Sequence, residues 1–406
     1  MRQSRFAFIA VLFCAAAVLR VAYAQVDVVK GAGKRAFAVS GFSGDAALAE
    51  QVTGVLKNDL RLSGYFQLSP PAGAEFVQSG SVRGDGSGVA IECIVTEVAT
   101  KQAVLTKVYQ GSAQELRRVV HKLSDDIVQA ITKQRGIAQT KIAFELTRNG
   151  VKELAVMDYD GYNVRQLTHD KSISVRPKWS PDGRKLIYTS YKGGFPDVVD
   201  VDLYTGQRRR VASFPGLNSG AAFSPDGQTL ALTLSKDGNP ELYTMNANGG
   251  DLHRLTHTHG AESSPTWLPD GQKIAYVSDN LGTPQVYLIG RDGGEPTRLT
   301  VSPSYNTEPD WSHPPTGSEM KPMLVVTSRL GKMQIGIYNG GDRSITPVVA
   351  DGADNEGPSW APDGRHLVFT KTVNWRPRLY LLDVMTREQI QLPAIEGDAS
   401  EPAWGP

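Results

Sequence analysis

The 406-residue chain is poor in cysteine, with two, and in histidine, with seven. Cys14 lies in the apolar run near the start, so Cys93 stands alone in the rest, which excludes an internal disulfide framework and a CxxC metal site. No excess of one charge exists: 43 Lys and Arg face 42 Asp and Glu, which argues against a nucleic-acid surface and against an acidic tail. No apolar run reaches the roughly 20 residues that a membrane helix needs. Catalytic signatures are missing too. No Ser has Gly at both −2 and +2, so there is no nucleophile elbow, and neither H-E-x-x-H nor a P-loop occurs. These absences point away from an enzyme. What the chain has in quantity is Gly (41) and Pro (24), a supply of tight turns that suits many short strands.

Residues 1–24 have the layout of an export signal. Arg2 and Arg5 precede an apolar run from Phe6 to Leu19, and Ala22-Tyr23-Ala24 supplies the small-x-small cleavage pattern. Arg20, directly after the run, keeps an uncleaved anchor open as the alternative. No Cys follows the cleavage point, which argues against a lipoprotein. Cleavage removes three Arg and no acid, so the formal charge falls from +1 to −2, and Gln25 becomes the first residue.

The C-terminal two-thirds repeats itself. Trp179-Ser-Pro-Asp-Gly183 returns as Phe223 to Gly227, Trp267 to Gly271 and Trp360 to Gly364, with a worn copy at Trp311 and a truncated one at Trp404. Five intervals separate these aromatics, four of 44 residues and one of 49. Each period carries four strand signals: one ending on the aromatic, an apolar one after the Pro-Asp-Gly turn, one ending in Tyr, and a short one with Arg-Leu-Thr or its like. That grammar predicts a six-bladed β-propeller over 139–406. Lys141-Ile-Ala-Phe144 matches the second strand of a blade and Trp404 ends a first strand, so the C-terminal strand should close the ring against the N-terminal one. Trp179 and Trp267 are expected to pack between blades.

Residues 25–138 follow a different pattern, a small α/β domain. Strand signals cover 34–42, 65–69, 76–82, 89–98 and 104–109. A helix follows Asp45, with Leu48, Val52, Val55, Leu56 and Leu60 on one face, and ends at Gly64. Ser112-Ala-Gln-Glu115 fits a capping box ahead of a second helix, whose stripe runs from Leu116 to Ile131 and which is expected to end near Gly136. The fold class is therefore an α+β N-terminal domain followed by the propeller.

This order of parts resembles the TolB family, the periplasmic component of the Tol-Pal envelope system. The resemblance rests on Leu48–Phe66, on Val156-Met-Asp-Tyr-Asp-Gly161 through Gln166-Leu-Thr168, and on Arg176-Pro-Lys-Trp-Ser-Pro-Asp-Gly183 with Leu186–Ser190. It implies a periplasmic adaptor without catalytic residues. The propeller face would bind the peptidoglycan-associated lipoprotein Pal, and the N-terminal segment would bind TolA. Outer-membrane integrity and constriction at division would depend on both contacts. Some relatives are also exploited by colicins.

The loops that enter the first strand of each blade open at one mouth of the channel. Val175, Leu217, Asn218, Glu262, Ser263, Asn306, Thr307, Asn355 and Glu356 are expected there as contacts to Pal, joined by Trp375 and Arg376, the residue types favoured at interface hot spots. Relatives carry a His in the loop where this chain has Leu217. Phe195, Leu281 and Leu330 add apolar loop tips. Val26, Val28 and Val29 alternate in part within Gln25–Lys30, a segment able to add a strand to a partner's sheet and so the expected TolA contact. A disordered end or a strand of the chain's own domain are the competing readings. His257-Thr-His259 with Glu262 near it is the one conceivable metal set, but a third ligand at fixed spacing is missing. No cofactor is expected, although backbone carbonyls and Asp side chains of a propeller channel can hold calcium. The chain is expected to be a monomer that meets membranes only through partners. The competing function is a periplasmic propeller that binds a peptide or carbohydrate, which would place aromatics around the channel mouth.

Overall fold

The computed structural model describes residues 33–84, 88–315 and 320–406. Its N-terminal part is a mixed sheet under two helices. The elements are β1 (Arg35–Val39), β2 (Ser43–Gly44), α1 (Ala46–Leu62), β3 (Phe66–Leu68), β4 (Phe76–Gly84), β5 (Gly88–Glu97), β6 (Ala103–Ser112) and α2 (Leu116–Thr132). The sheet order is β3-β1-β4-β5-β6, with β2 beside β4. β1 runs parallel to both β3 and β4, so the chain needs α1 as the crossover between β1 and β3. β4, β5 and β6 form an antiparallel meander.

Both helices begin where the sequence provides a cap. Asp45 Oδ1 accepts the Leu48 N–H at 3.1 Å. Ser112 and Glu115 form the capping box, on a single 3₁₀ turn that leads into α2. The second helix stops earlier than the sequence suggests. Lys133 takes the left-handed conformation at φ 61°, and its N–H bonds Gln129 O at 3.1 Å. Gly136 has a different task, since a Cβ there would run into Asp125, whose carboxylate accepts the Ala138 and Gln139 N–H groups. The apolar stripes of α1 and α2 meet Phe37, Phe66, Phe76, Val82, Ile91, Cys93 and Val95 of the sheet in one core. Each Val or Leu fully buried in this way contributes about 1.5–3 kcal/mol.

From Lys141 onward the chain forms six four-stranded antiparallel sheets. The first blade pairs Asp398–Trp404 with Lys141–Arg148, followed by Val151–Asp158 and Arg165–Gln166. The last strand of the chain thus supplies the innermost strand of the first blade, as the strand count predicts. Blades two to six cover 174–212, 218–254, 262–298, 306–349 and 354–391. The worn repeat at Trp311 is a full blade.

The Ser-Pro-Asp-Gly turns owe their shape to local chemistry. Ser180 Oγ donates to Asp182 Oδ1 at 2.6 Å, the same oxygen accepts the Arg184 N–H at 3.0 Å, and Gly183 takes φ 67°. The aromatics after each innermost strand act between blades. Trp179 Nε1 donates to Ala403 O, Trp267 Nε1 to Ala222 O and Trp360 Nε1 to Asp310 O, at 2.9–3.1 Å. Each indole, buried in Trp267 and Trp360 and half-buried in Trp179, therefore fills the seam and satisfies its own N–H on the preceding blade. Among the described residues no helix is long and apolar enough to cross a membrane.

The two parts meet on the turn side of the propeller. Leu62, Ile137 and Ala138 join Ile142, Phe144, Leu379 and Leu392 in one apolar cluster. Around it lie polar contacts: Lys34 Nζ to Glu388 Oε2 at 2.5 Å, Arg365 Nη2 to Gly64 O at 2.9 Å, and Tyr159 OH to Asp59 Oδ1 at 2.8 Å.

Candidate partner-docking face

The first residues of each innermost strand open on the face opposite the N-terminal domain. In every blade that strand carries one register shift. The residue at the shift is left-handed: Arg176, Gly220, Ser264, Glu308, Gly357 and Glu401, with φ between 47° and 62°. The bulge bends the backbone inward, so these six positions line the channel, most of them followed by a proline. They enclose a cavity of about 70 Å³.

The channel lining mixes charges: Arg176 and Lys178 line it with Glu308 and Glu401, and Glu145 and Glu356 stand near Glu401. Glu308 Oε2 accepts the Gly357 N–H at 2.8 Å and the Thr327 hydroxyl at 2.6 Å. Glu145 accepts the Arg176 N–H at 3.0 Å and Lys152 Nζ at 2.8 Å. Burial, together with Glu308 and Glu145, pushes the Glu401 carboxyl up to about 8 against the opposing pull of Arg176. Burial and then Glu308 raise Glu356 in the same way. The six left-handed residues are the last of the entering loops read from the sequence, one or two positions beyond the residues chosen there as contacts in the five blades where any were chosen, and a proline follows five of them.

The eleven residues expected to contact Pal do all reach this face, but in two roles. Asn218, Glu262, Asn306 and Asn355 are buried, which corrects the expectation that their side chains are offered to a partner. They brace the loops instead. Asn218 Nδ2 donates to Phe214 O and Pro196 O. Asn306 Nδ2 donates to Pro303 O and Gln285 Oε1, while its Oδ1 accepts from Ser328. Asn355 Nδ2 reaches Asp351 and Ala353 O. Glu262 accepts from Thr258 and Ser278 and sits beside Glu241, and burial raises its carboxyl to about 7. Strand alternation explains the split, because neighbouring residues face opposite ways. The next residues, Val175, Ser263, Thr307 and Glu356, are half-buried and point to the channel mouth, as does Leu217 one residue before Asn218.

The outer rim is apolar and exposed. Phe195, Leu281 and Trp375 stand on the loops between second and third strands, and Leu330 ends the second strand of blade five. Trp375 is 92% exposed at the tip of a two-residue hairpin turn, with Val373 paired to Arg376 across it. Arg376 leans toward Asp398 at 3.7 Å. A charged, hydrogen-bonding centre with apolar tips on four of the six surrounding blades is suited to holding a folded protein surface.

Other expectations fall elsewhere. Residues 1–24 and Val26, Val28 and Val29 lie outside the described residues. His257 and His259 are exposed and do not converge with buried Glu262. The metal-type side chains that do converge among the described residues are Asp59, His121 and Asp160, at the domain boundary. The aromatic ring of Trp179, Phe223, Trp267, Trp311, Trp360 and Trp404 lines the opposite mouth, a space of about 280 Å³ that Arg135 also lines. The indole N–H groups of four of these are engaged within the protein, so the cluster reads first as blade packing.

Comparison with known proteins agrees with this architecture. Residues 128–406 match the family model described as the TolB beta propeller domain. The Tol-Pal system protein TolB of Legionella pneumophila (strain Corby) is 34% identical over 201 residues, which cover 45% of this chain and 48% of that protein. Its counterpart in Geobacter sulfurreducens is 39% identical over 169 residues, covering 36% and 39%. The chain thus spans about half the length, or less, of the curated relatives it matches. The crystal structure of TolB from Acinetobacter baumannii superposes with a TM-score of 0.82 at 27% identity, over 92% of this chain and 97% of that one. With the family model spanning well over half of its length and six blades following a small helix-and-strand domain, the chain belongs to the TolB β-propeller family.

Proposed function

We propose that this protein is a periplasmic adaptor of the Tol-Pal system that binds Pal on the loop face of its propeller and TolA through the segment around Val26, Val28 and Val29. In this reading residues 1–24 are removed on export, residues 25–138 form the first domain, and the mature chain works as a monomer without a catalytic step. It supports outer-membrane integrity and constriction at division. The observation that carries the reading is the loop face itself. It is open, it is rimmed by Phe195, Leu281, Leu330 and Trp375, and it lies opposite the face that the N-terminal domain covers. The buried Asn218, Asn306 and Asn355 hold the loops, so the rim is presented on fixed supports, a condition for affinity without a large ordering cost.

Isothermal calorimetry of the chain lacking residues 1–24 against the Pal periplasmic domain of the same organism tests the proposal. Saturable one-to-one binding that weakens on Trp375→Ala supports it. No heat at high concentration overturns the Pal assignment. A parallel titration with TolA, with and without residues 25–33, tests the second contact in the same way.

A further inference from the structure

The domain boundary holds a buried ionic cluster that the docking face does not use. Asp59 on α1, His121, Ser124 and Arg117 on α2, and Tyr159 and Asp160 at the end of the Val151–Asp158 strand converge there. Asp59, His121, Asp160 and Tyr159 are each at most 3% exposed. Asp59 Oδ2 meets His121 Nδ1 and the Ser124 hydroxyl, both at 2.8 Å, and Asp59 Oδ1 accepts the Tyr159 hydroxyl at 2.8 Å. Arg117 pairs with Asp160 and lies over the Tyr162 ring at 4.1 Å. Ligand atoms of Asp59, His121 and Asp160 lie within 4.8 Å of one another. His121 Nε2 is buried and has no hydrogen-bond partner.

Charge counting decides what the site holds. Two buried carboxylates face one permanent cation, Arg117. A neutral imidazole would leave one negative charge uncompensated among buried groups, and an unpaired buried charge costs several kcal/mol. An imidazolium balances the set, and its Nε2–H, which has no acceptor, costs about 1–3 kcal/mol, less than the unpaired charge. A metal ion fits less well, because both Asp59 oxygens already accept donors and Arg117 occupies Asp160. We propose that protonated His121 is a clasp between the N-terminal domain and the propeller, so that the seating of one on the other is linked to the uptake of one proton.

The other groups around His121 pull in both directions, since burial pushes the Asp160 carboxyl up against the pull of Arg117 and His121. Asp59 and Asp160 raise its pKa, against burial as the largest single influence and against Arg117, and the net direction is upward. Asp125, the remaining acid near Asp59, is itself pushed up by burial and bonds the Ala138 and Gln139 N–H groups. Tyr159 is held far above the phenol range by burial and by Asp59, and it stays neutral. A histidine with a raised folded pKa contributes stability that is fully present below its unfolded value of about 6.5 and is lost as pH rises through the folded value. The clasp is therefore closed in acid and loosens in base. The second polar contact of the boundary is made by Arg365, with buried His366 on Asp363 beside it. Arg365 keeps its bonds to Gly64 O and Asp383, and its own pKa is raised further. Opening on the His121 side with Arg365 retained is a rotation about that contact.

The test uses the full chain at pH 6 to 9. Histidine NMR reports the pKa of His121. Hydrogen exchange, corrected for intrinsic rates, reports protection of 116–132 and 158–163. The expected result is a His121 pKa above 6.5 and protection that falls by up to about tenfold per pH unit between about 6.5 and that pKa, the slope for one linked proton, and levels off above it. His121→Gln should flatten that slope, while blade four stays protected at all pH values. A His121 pKa at or below 6.5 overturns the proposal, and this readout needs no variant to fold. So does a slope that survives in His121→Gln, or protection that depends on added zinc or manganese and is lost with a chelator.

Discussion

The hairpin tip of the sixth blade sets stability against binding at one residue. Asn374 and Trp375 both lie in the left-handed region, at φ 50° and 62°, between the paired residues Val373 and Arg376. This is the two-residue turn for which Asn-Gly is the favoured pair, and a bulky residue in its second position is strained. Strain of this kind costs about 1–3 kcal/mol, and the greater freedom of glycine in the unfolded chain returns about 0.5–1 kcal/mol of any relief. Trp375 is 92% exposed, so its removal forfeits almost no packing in the free protein. Trp375→Gly should therefore stabilise the fold by about 1 kcal/mol, or about 2 °C in melting temperature. Docking should suffer in the opposite sense. Covering an indole of about 200 Å² at about 25 cal/mol/Å² sets a ceiling near 5 kcal/mol, of which hot-spot truncations typically lose about 2 kcal/mol, a thirtyfold weaker Kd. Differential scanning calorimetry and titration against Pal measure the two quantities on one preparation. Trp375→Ala separates them, since it removes the contact and leaves the backbone strain. If Trp375→Gly melts lower than the wild type, the strain reasoning fails. If its Kd is within twofold of the wild type, the rim is not where Pal sits.

Three further outcomes follow from the geometry. Gly64→Ala should cost about 2 kcal/mol or more, because φ is 74° and the new Cβ would lie 2.8 Å from Arg365 Nη2 and 3.1 Å from His366 Nε2; exchange should rise at 60–66 and 363–366 and not in blade four, and a uniform change would contradict this. Glu401→Gln should gain stability relative to wild type as pH rises. The folded carboxyl keeps its proton up to about 8 while the unfolded one releases it near 4.3, so wild type loses stability across that interval and the amide does not; parallel melting curves from pH 5 to 9 would refute it. Trp404→Ala should cost about 3–5 kcal/mol in denaturant unfolding, since it empties the closing seam and removes the 2.7 Å bond from its Nε1 to Thr140 Oγ1; a cost below about 1 kcal/mol would mean that the ring does not depend on this strand.

What the sequence revealed and what it hid divide along the range of the interactions. The turns at Asp182 and Gly183 and the caps at Asp45 and Ser112 are made by residues within five of each other, so their chemistry is visible in order along the chain. The repeat of 44 made the blade count legible, even through the worn copy at Trp311. The early end of α2 was hidden, because a left-handed lysine has no sequence signal and Gly136 offered a false one. The loop residues were placed on the right face but not in the right direction: Asn218, Asn306 and Asn355 look like ready donors until the strand register turns them into the loops. The clasp was out of reach altogether. Asp59 meets His121 across 62 residues and Tyr159 across 100, and each alone looks like an ordinary polar residue.

The sixth blade gives this architecture a direction. Its second and third strands, His366–Val373 and Arg376–Asp383, are eight residues each, about 27 Å at about 3.4 Å per residue. One end of that hairpin carries Trp375, on the proposed docking face. At the other end Arg365 donates to Gly64 O of the N-terminal domain and to Asp383, and Glu388 just beyond takes Lys34, close to where the described chain begins. The two strands pair residue for residue without a bulge from His366 to Val373, unlike every innermost strand. A regular ladder with Phe369, Leu367 and Leu382 packed in one core deforms little along its length. A partner docked on Trp375 would bear on this hairpin, whose far end holds Gly64 through Arg365. That end, where Arg365 holds Gly64 O, is the contact about which the His121 clasp would open, so the pivot belongs to the blade that carries Trp375 and the clasp to the blade that closes the ring.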